Sequence, residues 1–211
     1  MAFDWLINAF ATLFVIIDPL GLLPIFLVVT QGMSKAERRS VALRAALTSA
    51  AILVTFALVG GALLNALGIT LPAFRIAGGL LLFWTAFEMV FEKRQERKEK
   101  TATKSITIDD IRSVAIFPLA IPLMAGPGAI SATVLLASER TEPVEIALLI
   151  GVILLILLSA FVIFLTAETL DRMIGQTGRT LLSRLLGVLL AALSVQFVAD
   201  GVAAIIMQNS G

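Results

Sequence analysis

Asp18-Pro19-Leu20-Gly21-Leu22-Leu23-Pro24 interrupts an apolar run that extends from residue 5 to 30. Pro122-Leu123-Met124-Ala125-Gly126-Pro127-Gly128 interrupts a second run, from 112 to 138, in the same way. Each places two prolines five residues apart near the middle of a stretch of bilayer length. Proline lacks a backbone donor and clashes with the turn before it, so a helix cannot continue unaltered through either site. Lipid cannot satisfy the main-chain groups set free, so such backbone lies in a membrane only where protein buries it or water reaches it. Matched interruptions in two halves of a membrane chain are a sequence pointer to a transport site.

The remainder of the chain fits that reading. Of 211 residues 59% are hydrophobic, and the mean hydropathy is +1.01. Soluble domains usually carry about half apolar residues. Further apolar runs lie near 41–67, 73–91, 144–168 and 181–207, each long enough for the ~20 residues of a spanning helix. The expectation is an all-α membrane protein with six transmembrane helices, the first and fourth broken. A near-zero net charge of +1 gives no sign of a nucleic-acid partner. Cysteine and histidine are absent, which excludes disulfides, thiolate metal sites and imidazole chemistry and leaves carboxylates as the proton carriers. No metal or other cofactor is expected. The first run contains Asp4 and lacks a basic leader, so it reads as a retained helix rather than a cleaved signal.

Basic residues set the orientation. Fourteen of sixteen fall in alternate loops, around 31–44, 93–112 and 169–184; only Arg75 and Arg140 lie on the other side. The crowded side is cytoplasmic by the positive-inside rule, which puts both termini outside. A rival topology makes the broken segments re-entrant hairpins. It places the N-terminus inside and Arg172, Arg179 and Arg184 outside, against the charge rule.

The halves also match each other. Pro19 and Pro24 align with Pro122 and Pro127, and Arg75-Ile-Ala-Gly78 with Arg184-Leu-Leu-Gly187, at offsets of 103 and 109. Three spans per half reverse the second half, which predicts an inverted-topology repeat. The chain divides into a first repeat at 1–92, a charged linker at 93–111 and a second repeat at 112–211.

Asp18 lies ~20 Å along a helix that starts near residue 5, inside a ~30 Å core. A carboxylate at that depth costs about 2.5–3.5 kcal/mol on insertion scales. It caps the helix that restarts after the break, contacts a solute or proton there, or does both, since the two roles are compatible. Pro19, Gly21 and Pro24 complete this first candidate surface. In the second break Pro122, Gly126, Pro127 and Gly128 expose main chain to a close approach, and Ser131 and Thr133 follow on a helix whose N-terminal amides suit a carboxylate. Arg75 and Arg184 begin the third and sixth helices, where the helix dipole favours a nearby anion. Two ion pairs are expected, Arg75 with Asp200 outside and Arg184 with Glu88 or Glu92 inside; unpartnered snorkelling is the alternative. Gln196 and Asn65 suit interhelical hydrogen bonds, while Gly60, Gly61, Gly78, Gly79, Gly187 and Ala191 suit close helix contact.

The stretches DPLGLLPIF, FRIAGGLLLF, FPLAIPLMAGPGAI and SRLLGVLLAALSVQFVADG together resemble the MarC family of bacterial and archaeal inner-membrane proteins, also called NAAT or UPF0056. Only the linker carries no match. The resemblance implies six membrane helices, an inner-membrane location and movement of small solutes. SnatA-type relatives are regarded as neutral amino-acid transporters, mainly for glycine and alanine, coupled to H+ or Na+. The expected partners are the lipid bilayer and a small-molecule solute, with a homo-oligomer compatible with the sequence. Export instead of uptake shares all these features. An intramembrane enzyme is the runner-up and would have to rely on an Asp18/Asp200 carboxylate pair; the chain reads as a non-enzyme. It lacks the glycine-rich Gly-Lys-Ser/Thr phosphate loop that ATP hydrolysis of that type requires.

Overall fold

The computed structural model describes residues 2–91, 115–140 and 142–209. The expected linker at 93–111, and Glu92 beside it, lie outside these residues. Among the described residues all regular structure is helical, in the order α1 (Ala2–Ile17), α2 (Leu23–Val29), α3 (Lys35–Ala66), α4 (Leu71–Val90), a proline segment (Ala115–Met124), α5 (Pro127–Ser138), α6 (Pro143–Leu165) and α7 (Ala167–Asn209).

Local chemistry explains the helix ends. The Ser34 hydroxyl accepts from the Glu37 amide, and the Glu37 carboxylate accepts from the Ser34 amide, a reciprocal cap that starts α3 six residues before its apolar run. Gly68, with φ +68°, ends the same helix. Thr70 caps α4, and prolines occupy the first turns of α4, α5 and α6, where their missing donors cost nothing.

Four helices are long and apolar enough to cross a membrane: α3, α4, α6 and α7. The proline segment and α5, bent by 56°, form a fifth candidate as a pair. Their outward faces carry Leu47, Leu58, Leu63, Leu154, Leu155, Leu158, Leu185 and Leu189, all exposed. Water would oppose so continuous an apolar exterior, and hydrocarbon would not. The expected inner loop at 169–184 is instead helical and belongs to α7. Its direction changes only at Gly175, whose φ of +64° is open to a residue without Cβ, and Arg179 pairs with Asp171 across this bend.

The core centres on α5. Every residue from Ser131 to Ala137 is buried, and α1, α3 and α4 pack around it. A helix buried all round must be apolar or small all round, as this one is. Close contacts rest on glycine as expected: a Cβ at Gly60 would meet Val134 at 2.5 Å, and one at Gly78 would meet Leu135 at 3.1 Å. The α4–α7 pair is antiparallel and equally tight. A Cβ at Gly79 would lie 2.8 Å from Val198, and one at Gly187 would lie 2.9 Å from Met89.

Candidate functional site

Both expected interruptions are present, but they differ in kind and position. The first falls late in its run, after sixteen residues of α1 and before the seven of α2. The Asp18 amide still bonds the Phe14 carbonyl, and Asp18 then turns left-handed at φ +54°. Aspartate tolerates this region better than most residues because its short side chain can bond locally. Here Oδ1 accepts from the Gly21 amide at 3.0 Å. The expected cap on the restarting helix is therefore replaced by closure of the turn itself; Leu22 precedes α2 and makes no side-chain cap bond. A Cβ at Gly21 would stand 2.0 Å from Asp18 Oδ2, so a larger residue there would push the carboxylate aside. Asp18 is 4% exposed, buried with Pro19, Leu22 and Leu23, while Pro24 is half-buried at the start of α2.

The second interruption is longer than two prolines suggest, because Pro118 joins Pro122 and Pro127. Phe117 and Ile121 are extended, as residues before proline prefer, and the Phe117–Pro118 and Ile121–Pro122 bonds are cis. The chain recloses through the Ala125 amide to the Ala120 carbonyl at 2.8 Å. A Cβ at Gly126 would stand 2.3 Å from the Pro122 carbonyl oxygen. Pro122 and Pro127 are exposed, whereas Gly126 and Gly128 are buried. The first helical bond of α5 runs from the Ile130 amide to the Gly126 carbonyl, so the amides before Ile130 point out of its N-terminus.

The helices that flank the two interruptions meet, α1 against α5. A Cβ at Gly128 would lie 3.6 Å from the side chain of Ile16, two residues before Asp18. Leu82 and Thr85 of α4 close the same point at 3.4 and 3.8 Å. One turn further along α5 are Ser131 and Thr133, both buried, and Thr133 Oγ1 has no hydrogen-bond partner among the described residues. Ser49 Oγ, on the face of α3, is likewise buried and unpartnered there.

The outer ion pair differs from expectation. Arg75 bonds Glu139 at 3.0 Å instead of Asp200, and Asp200 accepts from Gln196 at 2.7 Å one turn away on α7. The expected interhelical role of Gln196 is thus an intrahelical one. Rotation about the α7 axis decides this, and span counting carries no information on it. Glu139, which follows α5, was legible as a carboxylate at the same end of the chain's spans as Arg75. Glu88 accepts from Trp84 at 3.1 Å, and Arg184 stands on α7 three residues before the close contact of Gly187 with α4. At the opposite end of the molecule from Glu139, Arg38 pairs with Glu168. Arg140 stacks over Trp5 at 5.1 Å and bonds Glu145 at 3.1 Å. Arg75–Glu139, Arg140–Trp5 and Arg38–Glu168 all join the first half of the chain to the second.

Two cavities are described, and neither includes a residue of the interruptions. One of about 580 Å³ lies between α3, the end of α5 and the start of α6, beside Gly61, Ser138 and Arg140. The other, of about 330 Å³, lies at the opposite end, beside Arg38 and Glu168. No group of three or more acidic side chains that could hold a metal ion occurs among the described residues.

Comparison with known proteins agrees with this architecture. Residues 3–206 match the MarC family integral membrane proteins. A UPF0056 membrane protein of Methanocaldococcus jannaschii is 37% identical over 96% of this chain and 98% of its own length. One of Archaeoglobus fulgidus is 36% identical over 92% and 91%. The UPF0056 membrane protein YhcE of Escherichia coli is 37% identical over 92% and 89%. No solved structure gives a significant match.

Proposed function

The chain belongs to the MarC family of integral membrane proteins, and from that premise we propose that it is a secondary transporter of small solutes. The carrying observation is the meeting of two interrupted helices, Ile16 against Gly128, beside the buried carboxylate of Asp18. In this reading α1 with α2, and the proline segment with α5, are corresponding broken spans of a six-span, 3+3 inverted repeat. Two pairings support the symmetry: α3 packs on α6 and α4 on α7, so equivalent helices of the two halves face each other. The basic end is cytoplasmic and both termini are outside.

A small zwitterion such as glycine or alanine, the substrate class implied by the family resemblance, would place its carboxylate at the first amides of α5. Its ammonium would face Asp18 or the carbonyls around Pro19–Gly21. The meeting point is closed by Leu82 and Thr85, so transport requires the halves to part there in alternation. Arg75–Glu139 and Arg38–Glu168 bridge the halves at opposite ends and are the contacts that would break in turn. Asp18 is also the carrier of a coupling proton. Asp200 is engaged by Gln196 on its own helix, which favours a carrier over a carboxylate-pair enzyme; export and uptake use the same machinery.

Uptake of labelled glycine or alanine into proteoliposomes tests this. The wild type should accumulate the solute, and Asp18→Asn should reduce uptake by about tenfold or more, the effect of losing one ionic contact of ~1.4 kcal/mol. Equal uptake by both proteins removes Asp18 from the mechanism. No uptake by the wild type removes this substrate class.

A further inference from the structure

The smaller cavity is lined by charged side chains above apolar ones. Lys35, Arg38 and Arg39, on the first turn of α3, line one side; Thr166, Glu168 and Thr169, at the α6–α7 junction, line the other. Three cations thus face one carboxylate, and that carboxylate is taken up by Arg38 Nη1. Arg38 Nε is nonetheless buried and without an acceptor among the described residues. An N–H donor of a guanidinium left in this condition leaves room for one more anionic oxygen.

Beneath the charges the wall is apolar. Phe26 of α2 and Phe164 of α6 stack face to face, centroids 4.5 Å apart and planes 2° apart. Leu27 and Leu165 continue this wall outward, and Leu165 is 47% exposed on the face turned to the bilayer. A soluble anion would use the cations and leave the apolar wall idle. An amphiphile with an anionic head uses both. Basic pockets between helices on the cytoplasmic side suit phosphate headgroups for this reason, and the positive-inside rule puts this end in the cytoplasmic leaflet.

We propose that this cavity binds the headgroup of an anionic phospholipid of the cytoplasmic leaflet. The phosphate lies among Lys35, Arg39 and Arg38 Nε, and an acyl chain runs along Leu27 and Leu165. The site joins α2 and α3 to α6 and α7, so the lipid bridges the two halves beside the Arg38–Glu168 pair. This assignment does not depend on the transport reading, because its measurement is lipid affinity.

The test is lipid titration of delipidated protein in detergent, followed by native mass spectrometry. Lys35→Gln/Arg39→Gln removes two cations and leaves both the Arg38–Glu168 pair and the Ser34 cap in place. Arg44→Gln/Arg172→Gln removes two from outside the cavity. The wild type should bind one phosphatidylglycerol in preference to phosphatidylcholine. That affinity should fall roughly thirtyfold in Lys35→Gln/Arg39→Gln, the loss expected for two cations near an anionic surface. It should hold within about threefold in Arg44→Gln/Arg172→Gln. Equal affinity for the two lipids, equal loss in the two variants, or full displacement of the lipid by glycerol 3-phosphate would each overturn the assignment.

Discussion

At residues 18–22 a side chain turns the chain; at 117–126 the backbone does so alone. In the first interruption the Asp18 carboxylate folds over Gly21 and takes its amide, so the turn depends on a single side-chain contact that can be drawn away. In the second, three prolines remove the donors, and Gly126 admits the Pro122 carbonyl with no ionisable group taking part. The asymmetry assigns different work to two segments that resemble each other in sequence. Under the proposed transport reading, the proline segment and the buried α5 form the fixed side of the site, and the Asp18 turn is the part that a bound solute would reset.

Three measurements bear on that contrast. The largest effect belongs to Gly126→Ala. Its Cβ would meet a main-chain oxygen that cannot swing aside, so a loss of about 3 kcal/mol is expected, the upper range for overpacking. Denaturant unfolding followed by Trp5 and Trp84 fluorescence reads it; a loss no larger than that of Gly21→Ala would mean the second turn is as pliable as the first.

Gly21→Ala should cost about 2 kcal/mol, because the atoms it meets belong to a side chain. Adding Asp18→Gly removes that side chain, and glycine accepts the positive φ at 18. The double variant should therefore lose less than the sum of the two single losses, by roughly 1 kcal/mol, a usual coupling between contacting residues. An additive double variant would show that the carboxylate does not hold the turn. The smallest effect lies at the far end of α5. Arg75 and Glu139 are partly exposed, and their pair is worth ~0.2–1 kcal/mol. A double-mutant cycle with Arg75→Gln and Glu139→Gln should find that coupling, and a cycle of Arg75→Gln with Asp200→Asn should find none. The reverse result would restore the pairing expected from span counting.

Much of the architecture was legible residue by residue. The runs at 73–91 and 144–168 became Leu71–Val90 and Pro143–Leu165, within three residues at either end, because hydropathy over twenty residues reports helix and bilayer together. Gly60, Gly78, Gly79 and Gly187 sit where helices nearly touch, since an apolar helix has little other reason to omit side chains. The inner loop at 169–184 was misread because its polar residues suit a helix outside the membrane as well as a loop. Only the φ of Gly175 marks the bend.

From residues alone came the class of molecule, the places where helices cannot continue, and the uneven distribution of basic residues between its two ends. Proline chemistry, apolar length and charge counting are local properties that hold whatever the neighbours are. Tertiary structure decided that Asp18 closes its own turn, that Arg75 meets Glu139, and that Ile16 comes to rest on Gly128. Each depends on how far a helix is rotated about its axis and on which atoms fill the space left by a glycine. Such quantities exist only once the helices are packed.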